Sequence, residues 1–219
     1  MEAPVVPRIV CFGDSLTSGY QSPTMAFPQV LETPYGQFLQ DRLKEKAYVT
    51  VSGLCGETTA EMVQRFGRDV VERRPTYVII LGGTNDLGGW RAPREIMRHL
   101  LAMYEQAQKA GITPVGVTVP SIRLGTFPEG RPMSPDLKEA RRLLDDHLDR
   151  RRILNRMIQD SCARAALPCV DLFAATAEPD SWQLAEAYSN DGLHLTTEGY
   201  QRFAELLYAE VFAPALGDA

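Results

Sequence analysis

The feature that most constrains this chain is an alternation of two hydrophobic periods. Five short apolar runs recur along it: Arg8 to Gly13 (RIVCFG), Tyr48 to Gly53 (YVTVSG), Tyr77 to Gly82 (YVIILG), Thr113 to Val119 (TPVGVTV) and Cys169 to Phe173 (CVDLF). They are rich in Val and Ile and apolar on both faces, the pattern of parallel strands covered on both sides. Between and after them lie segments with helical periodicity: Pro34 to Lys46, Thr59 to Arg73, Pro93 to Lys109, Pro135 to Ala166 and Thr197 to Val211. Strands alternating with helices predict a doubly wound α/β architecture. With 219 residues, and no repeat or linker to divide them, the expectation is a single domain over 1–219.

The helix boundaries carry chemistry of their own. Thr33-Pro34, Ala92-Pro93 and Ser134-Pro135 each put a proline at a first helical position, with Thr33 or Ser134 available to cap. Gly111 stops the third helical segment. The mixed charges from Asp145 to Arg152 read as the solvated face of a long helix. Three connections exceed what packing needs: Ser15 to Thr33, Asn85 to Ala92 and Pro120 to Ser134. They follow strand ends, and in open α/β sheets that edge binds ligands.

Composition excludes more than it specifies. Lys and Arg number 23 against 28 Asp and Glu, a formal charge of −5, which offers no electrostatic basis for a nucleic-acid or anionic-membrane partner. The longest uncharged stretch, Ser15 to Leu31, contains polar residues and prolines and cannot span a bilayer. The amino terminus lacks a basic start and a cleavable apolar stretch, so a cytoplasmic location is expected. Cys11, Cys55, Cys162 and Cys169 show no CxxC spacing and read as free thiols. The three histidines, His99, His147 and His194, form no local zinc motif.

Gly13-Asp14-Ser15-Leu16 follows the first strand directly. A serine there is placed to expose its hydroxyl on the ligand side, although turns and caps use serine in the same way. The motif is not the Gly-x-Ser-x-Gly elbow, because Thr17 stands where the second glycine belongs. Nor does it have the glycine spacing or the lysine of a nucleotide-binding loop. A serine nucleophile needs a base within hydrogen-bond reach, itself oriented by a third group. Ser189-Asn190-Asp191-Gly192-Leu193-His194, just before the last helix, supplies a carboxylate and an imidazole three residues apart. His99 lies in a helical pattern without a local carboxylate, and His147 lies in the charged run and reads as solvated. By elimination His194 is the candidate base. Donors for an oxyanion have two candidate sources: the backbone N–H of Gly56 in Gly53-Leu54-Cys55-Gly56-Glu57-Thr58-Thr59, and the side-chain amide of Asn85 in Gly82-Gly83-Thr84-Asn85-Asp86. Each loop alone also fits an ordinary glycine-rich turn.

The four blocks Gly-Asp-Ser-Leu, Gly-Glu-Thr-Thr, Gly-Gly-Thr-Asn-Asp and Asp-Gly-Leu-His stand in order between Ile9 and Tyr200. Together they resemble the GDSL family of lipases and esterases, the SGNH hydrolases. The resemblance implies a flavodoxin-like three-layer α/β/α sandwich around a five-stranded parallel sheet. It implies Ser15 as nucleophile, His194 as its base, Asp191 as the carboxylate that orients that base, and Ser15, Gly56 and Asn85 as the oxyanion-hole residues. Asp14 and Asp86 match structural positions. No metal and no organic cofactor are implied, and the partner is a small-molecule ester.

The expected reaction is ester hydrolysis through an acyl-enzyme, with a rate that rises as the imidazole base loses its proton. Short-chain acyl or aryl esters are the first expectation; a carbohydrate O-deacetylase, or an acyl thioesterase with lysophospholipase activity, would use the same residues. Trp90, Leu193, Tyr20 and Phe27 are the expected substrate-binding residues, with Met25, Leu87, Arg91, Ile122 and Phe127 as further possible walls. Two readings from other classes share parts of this pattern. A nucleotide-binding flavodoxin-like module would need neither Asp191 nor His194, and an inactive homologue would not react with a fluorophosphonate.

Overall fold

The computed structural model describes residues 6–25, 28–124 and 136–217. Chain order runs β1 (Arg8–Gly13), α1 (Ser15–Ser18), β2 (Tyr20–Gln21), β3 (Leu31–Glu32), α2 (Tyr35–Leu43), β4 (Tyr48–Gly53), α3 (Thr59–Phe66) and β5 (Tyr77–Leu81). It continues through α4 (Thr84–Gly88), α5 (Pro93–Lys109), β6 (Thr113–Val117), α6 (Leu137–Arg164), β7 (Cys169–Val170), α7 (Leu172–Thr176), α8 (Thr197–Leu207) and α9 (Ala213–Leu216). The main sheet has the order β4-β1-β5-β6-β7, with all pairs parallel. Numbered by the five main strands this is 2-1-3-4-5, the flavodoxin-like winding, whose direction reverses between β1 and β5.

Alternation along the strands builds the three layers. Ile9 and Cys11 of β1 face one side with Ile79, Leu81, Val115 and Val117, under Leu39 and Leu43 of α2 and Tyr200 and Phe203 of α8. Val10 and Phe12 face the other with Val78 and Ile80, under Phe66 of α3, Leu100 and Met103 of α5 and Leu154 and Ile158 of α6. Phe12 and Phe66 meet edge to face with centroids 5.2 Å apart. Truncating either would remove an aromatic anchor that spans two elements, a change that typically costs about 3–5 kcal/mol.

The departures from sequence expectation have local causes. β4 is an edge strand and only half covered, with Tyr48 and Val51 exposed, so its apolar residues do not report burial on both faces. β6 stops pairing at Val117, and the side-chain amide of Asn155 continues the ladder, bonding Val119 N at 2.7 Å and Val119 O at 2.9 Å. β7 is cut short because Asp171 caps α7, accepting from Ala174 N at 3.1 Å and from Thr118 Oγ1 at 2.8 Å. The expected loop after β5 instead begins with the short helix α4. The second and last helical segments finish as one wider π-type turn each, Gly67–Val71 and Tyr208–Phe212. Pro93 starts α5 as expected, whereas α2 has Pro34 at its cap and takes no side-chain bond there. Ser134 and Pro135 lie outside the described residues, and Asp136 caps α6 by accepting from Lys138 N and Glu139 N. All four cysteines are free thiols, and among the described residues no helix is long and apolar enough to cross a membrane.

Candidate active site

The carboxyl edge of β1, β4 and β5, beside the winding reversal, gathers the sequence motifs. Asp14 winds the turn that carries Ser15: its Oδ1 accepts from Leu16 N at 3.0 Å and its carbonyl from Thr17 N and Ser18 N, each at 3.0 Å. Ser15 thus opens α1 at the end of β1, 5% exposed, with its backbone fixed by the preceding residue. Ser15 Oγ lies 3.1 Å from His194 Nε2, across 179 residues of sequence. His194 Nδ1 lies 2.7 Å from Asp191 Oδ2. That geometry is a continuous hydrogen-bonded chain from hydroxyl through imidazole to carboxylate.

The Asp191 loop is held from within. Asp191 Oδ1 accepts from Leu193 N at 2.8 Å and His194 N at 2.7 Å, so carboxylate and imidazole share one tight turn. Gly192 occupies the left-handed region that the turn demands, at φ +85°. Ser189 Oγ donates to His194 O at 2.7 Å and accepts from Gly192 N at 2.9 Å. Ser22 Oγ donates to Asp191 Oδ2, the oxygen that faces His194. Burial alone would push the Asp191 carboxyl up. The bonds from His194, Ser22 and the two backbone N–H groups outweigh it and hold the carboxyl well below the ordinary aspartate range.

The two glycine-rich loops meet beside this chain. Gly56 adopts φ +78°, and a β-carbon added there would meet nothing within 4 Å, so its requirement is conformational and open space adjoins it. Asn85 Nδ2 donates to Glu57 O at 2.9 Å, which fixes the orientation of its amide and ties the loop after β5 to the loop after β4. Asp86 secures the same junction from below, accepting from Thr59 N and Thr59 Oγ1, each at 2.8 Å. His99 Nδ1 lies 3.0 Å from that Thr59 hydroxyl. His99 therefore has an indirect link to a carboxylate, made by tertiary contact where its own helix offered none.

The expected substrate-binding residues fare differently. Tyr20 packs its ring on His194, with centroids 4.5 Å apart, while Tyr200 Oη holds the Tyr20 carbonyl at 2.8 Å. Leu193 is half-buried beside Asp191. Trp90 is 46% exposed, sits at φ +60°, and packs between the His147 ring at 4.4 Å and the Arg150 guanidinium at 5.3 Å. Phe27 and Phe127 lie outside the described residues. Leu87 is fully buried in the core beneath α5 and cannot line a wall. His147 is half-buried, with Trp90 packed against part of its ring. Its pKa is lowered by that burial and by Arg151 and Arg150. Sequence reasoning had no local signal for Ser22 or Ser189.

A serine, an imidazole and a carboxylate in one hydrogen-bonded chain at the carboxyl edge of a flavodoxin-like parallel sheet form an arrangement suited to a serine hydrolase. The model of the GDSL-like Lipase/Acylhydrolase family matches residues 11–202, and the chain belongs to that family. An uncharacterized lipoprotein, YqeF of Bacillus subtilis (strain 168), is 29% identical over 116 residues, covering 50% of this chain and 47% of that protein. This chain therefore matches about half of that relative's length. A carbohydrate acetylesterase from Sinorhizobium meliloti superposes with a TM-score of 0.72 at 20% identity, covering 95% of this chain and 99% of that one. An aryl esterase from M. smegmatis superposes with a TM-score of 0.71 at 18% identity, covering 94% and 100%.

Proposed function

We propose that this protein is a serine esterase that cleaves short-chain acyl or aryl esters through an acyl-enzyme on Ser15. The observation that carries the reading is the chain from Ser15 Oγ to His194 Nε2 at 3.1 Å and from His194 Nδ1 to Asp191 Oδ2 at 2.7 Å. Ser15 Oγ attacks the ester carbonyl while His194 Nε2 takes its proton. The Ser15 and Gly56 N–H groups and the Asn85 amide bear the oxyanion of the tetrahedral intermediate. His194 then gives the proton to the departing alkoxide, leaving acyl-Ser15 and a free alcohol. Water, deprotonated by the same nitrogen, attacks the acyl-enzyme and releases the acid and Ser15. Asp191 keeps the imidazole oriented with Nε2 toward serine and stabilises the imidazolium that forms.

Tyr20, Leu193 and Trp90 are the proposed substrate-facing residues. A carbohydrate acetate is the second reading, favoured by the likeness to the S. meliloti carbohydrate acetylesterase; the likeness to the aryl esterase supports the first. The test is a fluorophosphonate probe with peptide mapping, followed by a panel of p-nitrophenyl esters of increasing chain length, acetylated sugars and an acyl-CoA. Labelling of Ser15, and turnover lost in Ser15→Ala, are expected. An unlabelled Ser15 in folded protein would overturn the catalytic reading, and preference for acetylated sugars over aryl acetates would favour the second substrate class.

A further inference from the structure

Among the described residues, a buried ion-pair cluster outside the Ser15–His194–Asp191 chain centres on Arg65 of α3. Its side chain is 7% exposed, and its guanidinium directs every nitrogen at a defined acceptor. Nε donates to Glu57 Oε1 at 2.7 Å and Oε2 at 2.8 Å, and Nη2 donates to Glu57 Oε2. Nη2 also reaches Gly13 O at 2.9 Å and Ser52 O at 3.2 Å. Nη1 donates to Ser52 Oγ at 2.9 Å and Asp69 Oδ2 at 3.0 Å. The Phe12 ring lies against the guanidinium, 4.1 Å from centroid to Cζ.

Three of the four acceptor residues, all but Asp69, border the candidate site. Gly13 ends β1, two residues before Ser15, and Ser52 precedes the loop that bears Gly56. Glu57 follows Gly56 directly, and its carbonyl is the one that orients the Asn85 amide. A single planar fork thus holds the strand end leading to the hydroxyl and the segment around Gly56, and through the Glu57 carbonyl it reaches the Asn85 amide. Lysine, a point charge with no fixed fork, cannot reproduce that set of bonds.

We propose that Arg65 is a positioning residue for the oxyanion hole, fixing Gly56 N–H and Asn85 Nδ2 through Glu57. The proposal rests on the esterase reading above. A buried ion pair with a merely structural role would change folding stability and leave the response to Asn85 unaltered. A positioning role couples the two residues in turnover, because an oxyanion donor that is absent cannot be misplaced.

The experiment is a double-mutant cycle on p-nitrophenyl acetate, with protein concentration corrected for active sites by fluorophosphonate titration to completion and with folding checked by thermal unfolding. Arg65→Lys should lower kcat about tenfold or more with KM changed less than about threefold, a fraction of what loss of a whole oxyanion donor costs. In an Asn85→Ala background the same substitution should cost less than about threefold. If Arg65→Lys does not fold, Glu57→Gln, of equal size, replaces it in both backgrounds under the same criteria. Equal losses in the two backgrounds, or an unchanged kcat in folded protein, would overturn the proposal. A wild-type protein that neither turns over esters nor labels at Ser15 would instead remove the esterase reading, and the proposal with it.

Discussion

Ser22 Oγ and His194 Nδ1 converge on the same oxygen, Asp191 Oδ2. The serine therefore belongs to the hydrogen-bonded chain as its outermost donor, although it lies in the loop after β2. Ser22→Ala would leave that oxygen with one side-chain partner fewer, and hydrogen bonds to charged groups contribute about 1.5–3 kcal/mol. The two backbone donors on Asp191 Oδ1 and the His194 contact remain and keep the carboxylate in place, so only part of that energy bears on turnover. The expected result is a kcat lowered about three- to tenfold with KM little changed. Steady-state kinetics on an aryl acetate check it, and an unaltered kcat would make Ser22 a spectator.

Asn85 donates to Glu57 O through one amide hydrogen, and its amide has a second to offer the proposed oxyanion. Asn85→Ala should lower kcat by about 10²-fold or more and leave KM within a few-fold, the signature of an interaction made in the transition state. A rise in KM alone would assign Asn85 to ground-state binding.

How much of this was legible depended on whether the signal was local. Asp191 and His194 stand three residues apart, so one turn brings them together and sequence spacing suffices. The strand runs were legible because sheet burial imposes its own period, and Pro93 marked the start of α5. Ser22 carries no local mark, because its partner Asp191 lies 169 residues away. Arg65 pairs locally with Asp69 and Glu57, 4 and 8 residues off, but that spacing does not reveal its bond to Gly13, 52 residues away, which only the fold makes a neighbour. His147 is half-buried for the same reason: its own helix is charged, but Trp90 from another connection packs against the ring. β7 read as five residues because Asp171, a helix cap, sits in an otherwise apolar run.

Asp14 supplies a stability test. Burial pushes its carboxyl up to about 7, against the pull of Leu16 N–H, His194 and Arg151, while Asp86 adds to the rise. An unfolded aspartate titrates near ~3.9. From about pH 4 to 7 the folded protein accordingly binds a proton that the unfolded chain does not. Stability should fall as pH rises through that window, and the cost should persist above it. Asp14→Asn keeps an acceptor for Leu16 N and removes the titration. Its gain in Tm over wild type should be larger at pH 8 than at pH 5 by about 3 °C or more, since about 1 kcal/mol moves Tm by ~2–4 °C at this size. An equal difference at both pH values would contradict the buried charge.

Trp90 stands five residues beyond Asn85 at a φ that large side chains avoid, which marks a position held by its surroundings. As a proposed substrate-facing wall it should act on binding. Trp90→Ala is expected to raise KM for aryl esters about three- to tenfold, as for loss of an apolar contact worth ~1 kcal/mol. With kcat held within about twofold, that split identifies ground-state contact. A fall in kcat at constant KM would place its effect on the reacting groups instead.

His147 gives a pH effect of the opposite sign. Its pKa is lowered by burial and by Arg151 and Arg150, and its buried Nδ1 has no hydrogen-bond partner. The unfolded chain takes up this proton first, near ~6.5. Stability from the neutral ring is therefore complete above that value and is lost as pH falls through it and through the lower folded value. His147→Phe keeps a ring against Trp90 and cannot be protonated. Thermal unfolding should show the two proteins within about 2 °C of each other at pH 8, a difference under ~1 kcal/mol. The variant should lose less Tm than wild type between about pH 7.5 and about pH 5.5, scans taken about one unit on either side of the unfolded value. Because the ring is only partly covered, the difference should be modest, and an identical loss in both proteins would exclude His147 as a source of acid sensitivity.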